Sequence, residues 1–421
     1  MKVEALVNSS AGPVPPVERI YTLDVIRGFA LLGILIMNMP YFGMSFFAET
    51  DGTHLWNAWW DRGAGTVRDV LFSGKFNSMF SMLFAIGFTI QLERFERRDA
   101  EHATSLYLRR IGWLFVFGLI HMCVFWTGDV LHIYALMGLI LLALRRVPEK
   151  VLWGLFAACL LYPVVVTIIR LLTTTPADIG QMVSVLKTWE ETNNVAYGQG
   201  SFLDAAREHT RETLFIYSNP STLRYMLGFY IQILMTMLLG LILGRRHFFQ
   251  HSAQWLPLIK RLQWWFLGAG LVTGVVFGLW EATTTTPNAP SVMRAVSSFC
   301  YYLCRVLIMA FYVSLILRAV HSARWRDRLT PMAVAGRMPL TNYMMQTLIS
   351  TALFYGWGFG LWGKVGPALN LVMAVVIFFG VQVPLSLFWM RRFSYGPMEY
   401  FWRVLVYGRT QLRSREAASA A

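Results

Sequence analysis

Residues 23–44 read LDVIRGFALLGILIMNMPYFGM, and this stretch decides the fold class. Apart from Asp24 and Arg27 at its start and Asn38 inside it, the run is almost wholly apolar. Its length matches the roughly 20 residues that carry an α-helix across a hydrocarbon core of about 30 Å. No small-residue cleavage site follows it, so the run reads as a retained span and not as a signal peptide.

Runs of the same kind recur outward from it, at 69–92, 107–127, 130–144, 151–172, 223–244, 263–282, 295–317, 333–355 and 368–390. The composition agrees: 56% of the 421 residues are hydrophobic and only 14% charged, against about 25% charged in a soluble domain. The sequence therefore predicts an all-α, polytopic integral membrane bundle of about ten transmembrane helices. The expected organisation is a cytoplasmic segment 1–22, helices one to five in 23–172, an outward-facing amphipathic loop 173–222, helices six to ten in 223–390, and an interfacial helix with a tail in 391–421.

The net charge of +14 does not indicate nucleic acid. The basic residues form short clusters between apolar runs, around Arg97, Arg98, Arg109 and Arg110, at Arg145 and Arg146, at Arg245 and Arg246, at Arg318 to Arg328, and at Arg391 and Arg392. They mark every second loop, which by the positive-inside rule places both termini in the cytoplasm. The four cysteines lie in or beside apolar runs without ligand spacing, so they read as core residues and no metal is expected. GLILLALRR at 138–146 and GLILGRR at 240–246 are alike, but a shared stop signal accounts for both without a duplication. Gly/Pro-broken span pairs are not evident either.

In the loop 173–222, Ser201 with Asp204 reads as a capping box opening a helix to about residue 217, with Leu203, Ala206 and Leu214 on its apolar side. Near the C-terminus, Pro397 suits a first helical turn and Glu399 with Arg403 an i, i+4 pair.

Ionisable groups at membrane depth are costly, so they mark candidate chemistry. Asp24 and Arg27, three residues apart, can neutralise each other. Asn38 can bond between helices. His54, in the loop after the first span, can act as a general base or nucleophile on an activated acyl group. Asp129 can cap the fourth span with His132 one turn along, and His121 is expected about 9 Å below that turn. A carboxylate orienting an imidazole is the arrangement acyl transfer needs. At the other end, Arg27, Arg97, Arg98, Arg109, Arg110 and Arg337 suit a phosphorylated ligand such as coenzyme A, and equally anionic lipid heads. Asn342 follows Pro339 in the first turn of the ninth span, where a helix N-terminus favours anions.

LDVIRGFALLGILIMNM from Leu23, KFNSMFSMLFAIGF from Lys75, GLIH from Gly118, GDVLHIYALMGLILL from Gly128, AGRMPLTNYMMQ from Ala335 and YGPMEYFWR from Tyr395 together resemble the bacterial YeiB-like membrane family (domain of unknown function 418). The first span and its loop also resemble, distantly, the heparan-alpha-glucosaminide N-acetyltransferase family of transmembrane enzymes that use acetyl coenzyme A. That resemblance rests on Asp24, Arg27 and Gly28, on Asn38, and on His54 near Trp56, and it implies Asn38 and His54 as catalytic candidates.

The resulting expectation is a transmembrane acyltransferase of the bacterial cytoplasmic (inner) membrane. It takes an acyl group from an acyl coenzyme A docked at the cytoplasmic arginines and passes it to a hydroxyl or amine acceptor from the periplasm. The alternative is a transporter or lipid flippase whose polar groups line a path; the lack of broken span pairs speaks against it. A scaffold without chemistry fits the number of polar residues within spans poorly. The expected partners are the lipid bilayer and these two substrates, with no nucleic acid; a homo-oligomer is compatible with the sequence.

Overall fold

The structure is a computed structural model, and it describes residues 20–408 apart from 51, 99 and 285–288. The segment before Ile20, the tail after Gly408 and Asp51 lie outside the described residues. No strand occurs among those described, and the chain is an all-α polytopic bundle. Among the described residues, eight helices are long and apolar enough to span a membrane.

The first span is α1, Tyr21–Gly43. It is followed by α2, Trp59–Val67, which runs through a π turn at Arg68–Phe72, and by α3, Lys75–Arg98. Then come α4, Ala103–Ile120, ending in a second π turn at His121–Phe125, and α5, Leu131–Leu144. The spans α6, Glu149–Thr173, and α9, Pro220–Arg245, flank two extramembrane helices, α7, Pro176–Gly198, and α8, Phe202–Ser218. A long hairpin of α10, Ser252–Thr283, and α11, Val292–Val320, leads to α12, Thr330–Gly336, and α13, Pro339–Phe354. The last span joins α14, Pro367–Ile377, to α15, Val383–Met390, through a π turn, and α16, Pro397–Tyr407, lies beyond it.

Depth in the bundle follows polarity. In α1, 67% of the most apolar stretch is buried, whereas in α6 and α10 only 17% is. So α1 is the central helix, packed by α3, α11, α12, α13 and α14, and α6 and α10 turn their apolar side chains outward, as lipid-facing helices do. Close packing of α1 on α12 depends on small residues. A side chain on Gly336 would fall on the Asp24 carbonyl and the Gly28 backbone N, and one on Gly28 on the Met332 carbonyl.

The arginine clusters converge on one end of the bundle. Arg245 donates to the carbonyls of Val147 (2.7 Å) and Leu144 (2.8 Å), Arg246 pairs with Glu149 at 2.5 Å, and Arg145 lies 3.9 Å from Glu96. The ends of α3, α5 and α9 and the start of α6 therefore meet there, as alternate arginine-marked loops require.

The structure corrects the sequence reading in four places. The ninth expected span, 333–355, is reduced to a helix of 16 residues, α13, whereas the fourth, α5, matches the short run expected at 130–144. Two spans are broken, contrary to expectation. The second is interrupted at Ser73 and Gly74, where Gly74 has φ 77, and the ninth at Arg337 and Met338, where Pro339 starts a new helix. The loop 173–222 holds two helices, each opened by a capping box, Thr175 with Asp178 and Ser201 with Asp204. Finally, α8 buries the side opposite to the one expected. Leu203 and Leu214 are exposed, and Ala205, Glu208, His209, Glu212 and Ile216 face inward.

Candidate functional site

A cavity of about 280 Å³ opens at the arginine-rich end among α1, α3, α4, α5, α13 and α16. Arg27, Arg110, Arg337 and Arg403 line it together with Asp24 and Glu399, four guanidiniums against two carboxylates. Both carboxylates are engaged. Asp24 Oδ1 accepts from Arg27 Nη1 at 2.7 Å, the i, i+3 pair that the spacing implies. Glu399 caps α13: Oε1 accepts from the backbone N of Leu340 (2.6 Å) and Thr341 (3.0 Å), and Oε2 from Thr341 Oγ1 (2.6 Å). Arg403, expected from the spacing to pair with Glu399, stacks 3.8 Å over the Tyr395 ring, and Arg110 lies 3.9 Å over Trp402. These aromatic planes hold two guanidiniums at the mouth.

Among the other residues expected to hold a phosphorylated ligand, Arg97 and Arg109 are exposed and do not line the cavity. The side chain of Arg98 lies outside the described residues. Asn342 is fully buried, bonded to the Ala335 carbonyl (2.9 Å) and Ser386 Oγ (3.2 Å), and so joins helices.

The cavity is apolar above its mouth, and Val130, Leu131, Tyr134 and Tyr343 line its far part. Next to that wall lies a buried polar cluster. The π turn His121–Phe125 ends α4, and Thr127, Gly128 and Asp129 turn the chain into α5. Asp129 accepts from the backbone N of His132 (3.0 Å), the cap its position implies. Its two oxygens also take the two imidazoles, Oδ1 to His121 Nδ1 at 2.9 Å and Oδ2 to His132 Nδ1 at 2.7 Å. His121 is therefore in direct contact with Asp129 and not about 9 Å below it, because the chain folds back at Thr127 and Gly128, after the π turn, and brings Asp129 against the His121 ring. Burial favours the neutral form of Asp129, yet the hydrogen bonds from both imidazoles hold its pKa down at about 2.

On the far side of each ring stands a hydroxyl. His121 Nε2 lies 2.9 Å from Thr347 Oγ1, giving a carboxylate, imidazole and hydroxyl in sequence. His132 Nε2 lies 2.6 Å from Tyr217 OH, which meets Tyr230 OH at 2.7 Å. Tyr343 joins cavity and cluster: it lines the former, its ring centroid is 5.1 Å from that of His121, and its hydroxyl accepts from Val130 N at 3.4 Å.

The inward face of α8 adds a second layer. Thr127 Oγ1 lies 2.9 Å from both His209 Nδ1 and Glu212 Oε2, and Tyr197 OH donates to Glu212 Oε2 at 2.7 Å. Burial pushes Glu212 up to about 7 and His209 down to about 3. Both thus favour their neutral forms around pH 7 or just below, which suits a helix sealing the bundle.

Of the candidates Asn38, His54, His121, Asp129 and His132, the structure brings together the last three. Asn38 is half-buried on α1 and does not line the cavity. His54 is exposed in its loop, with Nδ1 3.7 Å from Glu49 Oε2. Thr347, Tyr343, His209 and Glu212 were not read from the sequence. The available signal was spacing: Tyr343 and Thr347 are one turn apart, as are Glu208 and Glu212, so each pair shares a helix face.

The chain is similar over nearly its full length to several bacterial proteins. It is 31% identical over 410 residues to the uncharacterized protein YxaH of Bacillus subtilis (strain 168), covering 95% of this chain and 97% of that one. It is 30% identical over 422 residues to the uncharacterized protein YeiB of Escherichia coli (strain K12), covering 92% and 96%. An uncharacterized 39.9 kDa protein of Bacillus acidopullulyticus is 27% identical over 402 residues, covering 94% and 96%. Residues 243–409 match the model of a protein family of unknown function, DUF418. With relatives matched from end to end and the six sequence blocks in order along a helical bundle, the chain belongs to the YeiB-like, DUF418 family of membrane proteins.

Proposed function

We propose that the protein is a transmembrane acyltransferase of the bacterial cytoplasmic membrane, with the arginine-rich end in the cytoplasm. One observation carries the reading: a single cavity runs from four arginines to a wall shared with the chain Asp129, His121, Thr347. Guanidiniums at the mouth suit the phosphates of acyl coenzyme A, and the apolar space above suits the acyl thioester end. An acceptor hydroxyl or amine reaches His121 Nε2 at the place where the Thr347 hydroxyl now bonds. His121 takes the acceptor's proton as the acceptor attacks the thioester carbonyl; the new C–O or C–N bond forms, the C–S bond breaks, and the imidazolium returns the proton to the leaving thiolate. Asp129 holds the Nδ1–H tautomer and stabilises the imidazolium. The Tyr343 hydroxyl, whose oxygen accepts from Val130, faces Asp129, and would turn its proton from that carboxylate to the developing oxyanion.

In a thiol-release assay with acetyl coenzyme A and purified protein, His121→Gln and Asp129→Asn are each expected to lower turnover by about 10² or more, with thermal unfolding recorded to separate folding from chemistry. His54→Ala, on an exposed loop, is expected to stay within a few-fold of wild type. The reverse pattern would move the chemistry to the outer loop. A transporter is the rival reading, favoured by the interruptions at Ser73 and Gly74 and at Arg337 and Met338. Calorimetry decides between them: coenzyme A binding weakened about tenfold by Arg27→Ala or Arg110→Ala, the worth of a charge-assisted hydrogen bond, supports the enzyme, and no binding to wild type supports the transporter.

A further inference from the structure

Two cations are buried at the break in the second span, away from the cavity mouth. Lys75, the first residue of α3, is 1% exposed, and Arg305, about 20 Å along α11 from its start, is 2% exposed. They converge on one ring: Lys75 Nζ lies 5.6 Å and the Arg305 guanidinium 5.4 Å from the centroid of Tyr301. Among the described residues no carboxylate lies within 4.0 Å of either. The carboxylate of Asp69 is taken by Arg68 Nε at 2.8 Å, and only its backbone carbonyl accepts from Lys75 Nζ, at 2.7 Å. The Arg305 guanidinium donates from Nε to Ser78 Oγ at 3.3 Å and also interacts with Tyr301, neither of them a carboxylate.

Such a pair of cations is costly inside a bundle unless something negative meets them. The local backbone points the same way. The span stops at Ser73, Gly74 turns with φ 77, and a 24-residue helix begins at Lys75, its positive dipole end inside the protein. Gly74 is needed for space as well as for its φ, since a Cβ there would lie 2.5 Å from Arg305 Nε. Ser73 Oγ stands 3.4 Å from Tyr301 OH, so hydroxyl donors flank the cations. Gly74 N lies 3.2 Å from Met37 Sδ, which places the break in the half of α1 away from the arginine-rich end.

We propose that this break is an oxyanion-binding site, in which Lys75, Arg305 and the first turn of α3 receive a carboxylate or phosphate group that enters from the end opposite the arginine-rich mouth. The site connects to the cavity: Ser78 and Ser81 are three residues apart on α3, Ser78 accepts from Arg305, and Ser81 meets at 3.0 Å the hydroxyl of Tyr134, which lines the cavity wall. A ligand held by its acidic group at the break thus sits one turn of α3 from the wall beside His121. The assignment stands on the cations and the break and holds whether or not acyl transfer occurs.

The test uses the full chain in phosphatidylcholine nanodiscs, with thermal unfolding measured in sodium phosphate, sodium acetate and sodium chloride at equal ionic strength, and in nanodiscs carrying phosphatidylglycerol. Phosphate or acetate raising the unfolding temperature above that in chloride, with the rise lost in Lys75→Met and in Arg305→Met, supports a site for a free anion. A rise with phosphatidylglycerol alone, lost in the same variants, assigns the site to an acidic lipid headgroup. Each Met variant is expected to be at least as stable as wild type in chloride, since it removes an uncompensated buried charge. If Arg305→Met does not fold, Lys75→Met and Ser78→Ala carry the comparison. No anion-dependent rise in wild type, or a rise that persists in the variants, overturns the proposal. His121→Gln keeps the response, which separates this outcome from that of the acyl-transfer test.

Discussion

Asp129 shows how far single residues decide this molecule. Its position after a glycine and before an apolar run marks it as a helix cap, and it is one. The same carboxylate also binds two histidines, which a cap alone does not require. Glu212 is the complementary case, a carboxyl that burial pushes up to about 7 from an ordinary 4.5. Because the folded chain holds this proton more tightly than the unfolded one, Glu212 contributes stability that is full below pH 4.5 and is lost as pH rises through 7. His209, lowered from 6.5 to about 3, acts in the opposite sense, its contribution being lost only as pH falls below 6.5. Above pH 6.5 His209 therefore adds no slope against that of Glu212. Unfolding temperatures measured from pH 6.5 to 8 are expected to fall in wild type and to be flatter in Glu212→Gln; equal slopes would remove Glu212 as the cause.

At the scale of elements, α8 is the instructive one. Ser201 and Asp204 form the capping box that the spacing implies, with Ser201 N donating to Asp204 Oδ2 at 3.0 Å and Asp204 N to Ser201 Oγ at 3.3 Å. Replacing Ser201 by Ala is expected to destabilise the helix by about 1 kcal/mol. Hydrogen exchange would show this as faster exchange across residues 202–206 with the transmembrane helices unchanged, and uniform protection in both proteins would count against the cap. The box shows where the helix starts and is silent on which face turns inward. Leu203 and Leu214 suggested an apolar seat, but the surface below α8 is the polar turn at Thr127, so the histidine and glutamate face is the one that finds partners. The breaks before Lys75 and Pro339 have the same lesson, since neighbouring helices supply the contacts that an unbroken span would have met within itself.

For the molecule as a whole, the arginine clusters define one end, and the positive-inside rule assigns that end to the cytoplasm. The orientation proposed above puts α7 and α8 outside. A cysteine introduced as Glu190→Cys on α7 is expected to react with a membrane-impermeant maleimide in intact cells, whereas a cysteine in place of Arg146 should react only after permeabilisation. Labelling in the reverse order would invert the orientation and, with it, the sides of donor and acceptor.

The sequence by itself determined the all-α membrane class, the order of most spans, the arginine-rich end, the Asp24 and Arg27 pair and the helix caps. Each of these is written in local order: hydrophobic length, charge at span ends, or residues three apart on one helix. Only the tertiary structure decided that His121 and His132 share Asp129, that Thr347 meets His121 across 226 positions of chain, and that Lys75 and Arg305 meet at a broken span. Those contacts depend on which faces of distant helices meet. In a bundle whose apolar helices are alike to the lipid, that choice is made by small residues at close crossings and by polar groups finding partners, and neither has a period that can be read along the chain.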